Sequence, residues 1–119
     1  MTAAPFTVSP DTDVWTAWSM MICHGVRHLL VTSQGRCVGV LDDRTMFAQW
    51  PLGPTALRRQ RVGALMRDHV PCVRPDTAIS EVAALMLRGG IDAIPVVDDN
   101  GAVVGVLTCS DVLAVVAGI

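Results

Sequence analysis

No run of uncharged residues in this chain of 119 reaches the roughly 18 needed to cross a bilayer. The opening residues, Met1-Thr2-Ala3-Ala4-Pro5-Phe6, lack the basic start and apolar stretch of a signal peptide. Those two absences lead to the expectation of a cytoplasmic protein with no membrane partner. There is no excess of positive charge either. A net charge of −2 and a pI near 5.8 exclude a general nucleic-acid binder, whose affinity rests on neutralising phosphates. The one basic cluster, Arg58-Arg59-Gln60-Arg61, reads as a solvated face.

The four cysteines, Cys23, Cys37, Cys72 and Cys109, form no C-x-x-C pair and match no common zinc spacing. Reduced, partly buried thiols are expected. His24 and His28 stand four apart beside Cys23, but Gly25 interrupts any shared helix face, so no metal is expected there. A P-loop, a G-x-G-x-x-G fingerprint and a nucleophile–base pair are all missing. Asp42-Asp43 and Asp98-Asp99 are neighbours in turns and need not converge on a substrate. The chain is not expected to be an enzyme.

What is present is a duplication. Val8-Ser9-Pro10-Asp11-Thr12 matches Val73-Arg74-Pro75-Asp76-Thr77, and Gly25–Val31 falls on Gly90–Val96 at the same offset of 65. After one extra residue in the second copy, Gly39-Val40-Leu41 falls on Gly105-Val106-Leu107. A repeat fixes architecture before any single residue is interpreted. Residues 6–50 form repeat 1, 51–60 a linker and 61–117 repeat 2, together one domain's worth of chain.

Each copy is expected to run β-α-β-β-α in a mixed α/β (α+β) fold, the two packed about a pseudo-twofold axis. Thr12 and Thr77 are expected as N-caps of helices near 13–24 and 78–88, whose apolar residues recur at helical spacing. Gly25 and Gly89-Gly90 end them. Strands follow at 27–32 and 37–41, and at 93–97 and 103–107, the second pair joined through Asn100-Gly101, a strong hairpin signal. Closing helices are expected near 43–49 and 110–117, and Trp15 and Trp18 read as packing residues. Val112, Leu113, Val115, Val116 and Ile119 make the last helix apolar over more than one face, which points to a homodimer. The hydrophobic fraction of 51% and mean hydropathy of +0.47 agree.

Three segments carry a family resemblance: Val73–Thr77, Gly90–Asp98, and Gly105-Val106-Leu107-Thr108-Cys109-Ser110-Asp111. In this order, and duplicated, they resemble a CBS-domain pair (a Bateman module) over nearly the whole chain. Leu30 stands in the first copy where the family usually has proline. The resemblance implies a stand-alone regulatory module binding AMP, ADP, ATP or S-adenosylmethionine in clefts between repeats. No cofactor is required, and the output passes to an unidentified regulated protein.

By that resemblance, and by the chemistry of an acid reading two vicinal hydroxyls, Asp111 is the expected ribose ligand with Thr108 beside it. Val73, Ile94, Pro95 and Val106 would flank an adenine ring. Arg27 and His28 match positions where family members place phosphate-binding basic residues. Asp111 has a second reading as an early-turn acid of the last helix, and Val73, Ile94 and Pro95 are core on either reading. In the first copy Asp42 replaces the threonine and Thr45 the aspartate, so at most one well-formed site per chain is expected. Two other readings stand beside this one: a ligand-free dimeric scaffold, and a thiol or metal sensor using Cys109, Cys72, or Cys23 with Cys37.

Overall fold

The computed structural model describes residues 2–3 and 6–119. The chain divides into two compact units, one of residues 6–69, the other of 70–119 together with residues 2–3.

In the first unit β2 (Thr7–Val8) leads into α1 (Val14–His24), β3 (His28–Ser33), β4 (Arg36–Asp42) and α2 (Asp43–Gln49). β2 runs parallel to β3, which is antiparallel to β4. The second unit repeats this with α5 (Ile79–Gly89), β5 (Ala93–Val97), β6 (Val103–Thr108) and α6 (Cys109–Ala117). A single parallel bridge, Val73↔Val96, stands where Val8↔Val31 stands in the first unit. The β-α-β-β-α order expected from the duplication is the observed one. Even the irregularities agree: the ladder shifts register after Val31 and after Val96, 65 residues apart.

Helix ends follow local chemistry. Gly25 and Gly90, at φ +63° and +59°, close α1 and α5 in the left-handed conformation that glycine adopts without a Cβ clash. The N-caps lie one residue beyond the expected threonines. Asp13 caps α1, its two oxygens accepting from Thr16 N at 2.8 Å and Thr16 Oγ1 at 2.7 Å. The carboxylate makes both bonds at once, one with each oxygen. Ala78 precedes α5 without a side-chain cap, and Thr77 Oγ1 instead accepts from Arg74 N in the preceding turn.

The bonds from Thr16 hold the Asp13 carboxyl below its ordinary value of 3.8. Its stabilising contribution is therefore complete above that value and lost as pH falls through the lower folded value. Asp13→Ala should cost about 1 kcal/mol at neutral pH. Denaturant titrations of both proteins should converge in strong acid; a gap that persists there would contradict the cap.

Two separate cores form. Val14, Ala17, Met21, Leu29, Val31, Leu41 and Met46 pack with Leu57 and Val62 in the first unit. Val73, Val82, Met86, Ile91, Ile94, Val96 and Val112 pack in the second. The stretch 51–60, expected as a linker, is largely helical. A 3₁₀ turn (Trp50–Leu52) leads into α3 (Gly53–Arg59), which packs on α1 and buries Leu57. The short helix α4 (Val62–Leu65) lies in the stretch 61–117 assigned to repeat 2, yet it joins the first unit's core rather than the second's.

The sheets are completed by exchange. β1 (Thr2–Ala3) pairs antiparallel with β6, Thr2 opposite Val106. Its repeat equivalent, Arg67, pairs antiparallel with Val40 of β4 through two hydrogen bonds of 2.8 and 3.0 Å. The residues that lead into each repeat thus complete the sheet of the other. Neither segment is long enough to show a period, so only the structure reveals it.

Candidate ligand site at the start of α6

In the second unit the register sets Ala93 opposite Thr108 and Pro95 opposite Val106. Directly opposed residues project to one face of a sheet, as do residues two apart along a strand. Pro95, Val106 and Thr108 therefore share a face. Val73 and Ile94 do not join them: both are buried in the core cluster beneath α5 and α6. All four apolar residues expected around an adenine are buried, Val73 and Ile94 in the core cluster and Pro95 and Val106 on the opposite face of the sheet.

Thr108 and Asp111 meet in a capping box. Thr108 N donates to Asp111 Oδ2 at 2.9 Å and Thr108 Oγ1 donates to the same oxygen at 3.1 Å. Asp111 N in turn lies 3.4 Å from Thr108 Oγ1. This reciprocal arrangement satisfies donors that the first turn of a helix leaves without intrahelical partners. Both contacts to the carboxylate use Oδ2, so the box does not consume Oδ1. The two readings of Asp111 are compatible: one oxygen caps the helix while the other keeps its capacity to accept. Both residues are half-buried, so the carboxylate is neither sealed in nor fully solvated.

The first unit carries the same device with its parts interchanged. Asp42 is the N-cap of α2, and its Oδ1 accepts from Thr45 N at 2.8 Å. The carboxylate thus moves from the third helical position to the cap itself, and Thr45 offers a hydroxyl where Asp111 offers a charge.

Arg27 precedes β3 rather than lying on it. Its Nε donates to Asp43 Oδ2 at 3.2 Å, and its carbonyl accepts from Asp43 N. The guanidinium is largely exposed, which limits the worth of this ion pair. The sequence reading placed Asp43 beside Asp42 in a turn but did not pair it with Arg27. The same backbone bond recurs in the second unit as Cys109 N to Asp92 O. His28 opens β3, half-buried, opposite Asp42. Arg27 and His28 belong to the first unit, the other six expected residues to the second.

The sulfur chemistry is dispersed. Cys23 and Cys72 are exposed, Cys37 and Cys109 half-buried, and none of the four is in a disulfide. Cys109 Sγ approaches Met86 Sδ at 3.8 Å, a contact between α6 and α5. His24 stacks on Phe6 with ring centroids 4.0 Å apart. Among the described residues no three His, Cys, Asp or Glu side chains converge to hold a metal ion, and no helix is long and apolar enough to cross a membrane.

Comparison with known proteins agrees with this geometry. The model of the CBS domain matches residues 1–49 and again 62–118. The magnesium transporter MgtE of Thermus thermophilus is 40% identical over 86 residues, 72% of this chain and 18% of the transporter. The chain spans 18–22% of the length of four such curated relatives. Among solved structures, the CBS domain NE2398 superposes with a TM-score of 0.85 at 25% identity, covering 97% of this chain and 89% of that one. CBSX2 in complex with AMP superposes with a TM-score of 0.83 at 27% identity, covering 99% and 92%.

Proposed function

The chain belongs to the CBS-domain family, and from that membership we propose that it is a regulatory module, not a catalyst. It binds an adenosine-containing ligand (AMP, ADP, ATP or S-adenosylmethionine) at Asp111 and reports through association with a second copy and a regulated protein. The observation that carries the reading is the Asp111 carboxylate. It is held rigidly at the start of α6 through Oδ2, its second oxygen is not consumed by the cap, and Pro95, Val106 and Thr108 share the adjoining sheet face.

A carboxylate is suited to this task because vicinal ribose hydroxyls both donate and an ionised acid only accepts. AMP binding by CBSX2, at 27% identity, supports the ligand class. Arg27 and His28 would serve the phosphate, and Val73 and Ile94 support the sheet from its core side rather than touching the ring. Four cysteines outside any disulfide favour a cytoplasmic setting.

Association rests on a second observation. Ile22, Phe47 and Trp50 are exposed in the first unit; Leu87, Leu113 and Val116 are exposed in the second. These are the same three positions of the repeat, at offsets of 65, 66 and 66. Apolar side chains left in water at matching sites of both repeats mark one recurring interaction face.

Native mass spectrometry of freshly purified protein tests both parts together. A dimer carrying an adenosine-sized adduct is expected. Thermal-shift measurements with the four ligands should then raise the melting temperature for at least one of them. Absence of any adduct and of any shift would leave only the scaffold reading, in which the Thr108–Asp111 pair does no more than cap its helix.

A further inference from the structure

Two sulfur groups meet the backbone of Gly39. The Met66 thioether lies over its Cα: a Cβ placed on this glycine would stand 2.7 Å from Met66 Sδ and 3.0 Å from Met66 Cγ. The Cys37 thiol donates to the Gly39 carbonyl at 3.4 Å. One residue further along each segment, Val40 and Arg67 exchange the two hydrogen bonds that tie the connector to β4. The bare Cα is therefore a seat for a methionine, and that methionine adjoins the bridge.

Burial separates it from its fellows. Met21, Met46 and Met86 are buried, at 2%, 2% and 6%. Met20 and Met66 are half-buried, and both pack against the first unit's core. A thioether oxidises where an oxidant can reach it, so these two are the candidates among the described methionines. Met20 lies within α1, whereas Met66 caps the C-terminus of α4 on the connector itself.

We propose that Met66 is an oxidation site for a hydroperoxide, and that its sulfoxide releases the connector from β4. The sulfur lone pair attacks the distal peroxide oxygen. The S–O bond forms as the O–O bond breaks, and the proton passes to the departing oxygen, giving an alcohol or water. The sulfur is oxidised and the peroxide reduced. The product is polar where the thioether was apolar. The carbonyls at the seat, those of Gly39 and Arg67, are both acceptors, already bonded by Cys37 Sγ and Val40 N. A sulfoxide oxygen is likewise an acceptor. It meets partial charges of its own sign there and is better satisfied in water, so the side chain turns out of the seat. The crossing strand then loses the packing that holds it down.

The whole chain, treated with hydrogen peroxide and then with excess dithiothreitol, tests this. The dithiol reverses sulfenic acids and disulfides at the cysteines but leaves a methionine sulfoxide in place. Peptide mass spectrometry should find added oxygen on Met66 ahead of Met21, Met46 and Met86. Exchange of the Val40 and Arg67 amides should speed up by roughly tenfold or more, with little change in β5. Methionine sulfoxide reductase should restore their protection.

Met66→Leu is close in volume, fills the seat and cannot take up oxygen. Peroxide should leave its Val40 and Arg67 amides protected, although Met20 is still present to be oxidised. Met66→Gln, polar from the outset, should show the loosened bridge without peroxide. Protection that survives complete oxidation of Met66 would overturn the proposal. So would an equal loss in Met66→Leu, which would place the damage at Met20, or recovery with dithiothreitol alone, which would place it at a cysteine.

Discussion

Replacing Asp111 with alanine is expected to weaken binding of an adenosine ligand by roughly 10–100-fold. A hydrogen bond to a charged acceptor is worth about 1.5–3 kcal/mol, and 1.4 kcal/mol is a factor of ten. The same substitution dismantles the capping box, because Thr108 N and Oγ1 lose the oxygen they share. Stability should therefore fall by about 1 kcal/mol as well.

Asp111→Asn separates the two effects. Its amide oxygen still accepts from Thr108 N, so most of the cap survives, but the charge that two hydroxyls would share is gone. Titration calorimetry should show affinity lost in both variants and stability lost mainly in the alanine one. Equal affinity in wild type and both variants would remove the ribose role and leave only the cap. Calorimetry of the wild type should also give one site per chain. Asp42 sits at the cap position of α2 and Thr45 at the position equivalent to Asp111, so two equal sites would refute the asymmetry between the repeats.

Much of this architecture was legible from residues alone, for identifiable reasons. Gly25 and Gly90 announce helix ends because few other residues adopt the conformation needed there. Asn100-Gly101 announces a tight connection, and Asp98 secures it by accepting from Asn100 N and Ala102 N. The first hairpin was less obvious: Gln34 and Gly35 both take positive φ, as a two-residue primed turn requires, although glutamine is not a typical choice. Where local chemistry alone decides structure, sequence reading succeeds.

It fails where a distant partner decides. Trp50-Pro51-Leu52-Gly53-Pro54 contains enough breakers to suggest a free linker. Nothing local shows that Leu57, a few residues later, is buried under α1. Asp111 presents a different limit. A helix cap and a ribose ligand require the same carboxylate at the same position, so the residue pattern supports both equally. Only the geometry shows that one oxygen meets the first need without using the other.

The exchanged segments give the largest expected effect on folding. Gly39 lies beside the Val40–Arg67 bridge, and a Cβ placed there would come within 2.7 Å of Met66 Sδ and 2.9 Å of the Arg67 carbonyl oxygen. A methionine side chain can move aside. The carbonyl cannot, because it accepts from Val40 N and fixes the crossing strand.

Gly39→Ala should therefore cost about 1–3 kcal/mol, the usual range for forcing an extra carbon into a close-packed site. The melting temperature should drop by roughly 5–15 °C. Hydrogen exchange locates the damage: amides of Val40 and Arg67 should lose protection, while those of β5 should lose only what global destabilisation accounts for. A variant as stable as the parent, with the Arg67 amide still protected, would mean that the exchanged segment tolerates displacement from β4. The close approach at Gly39 would then not be what holds the 61–69 connector to the first unit.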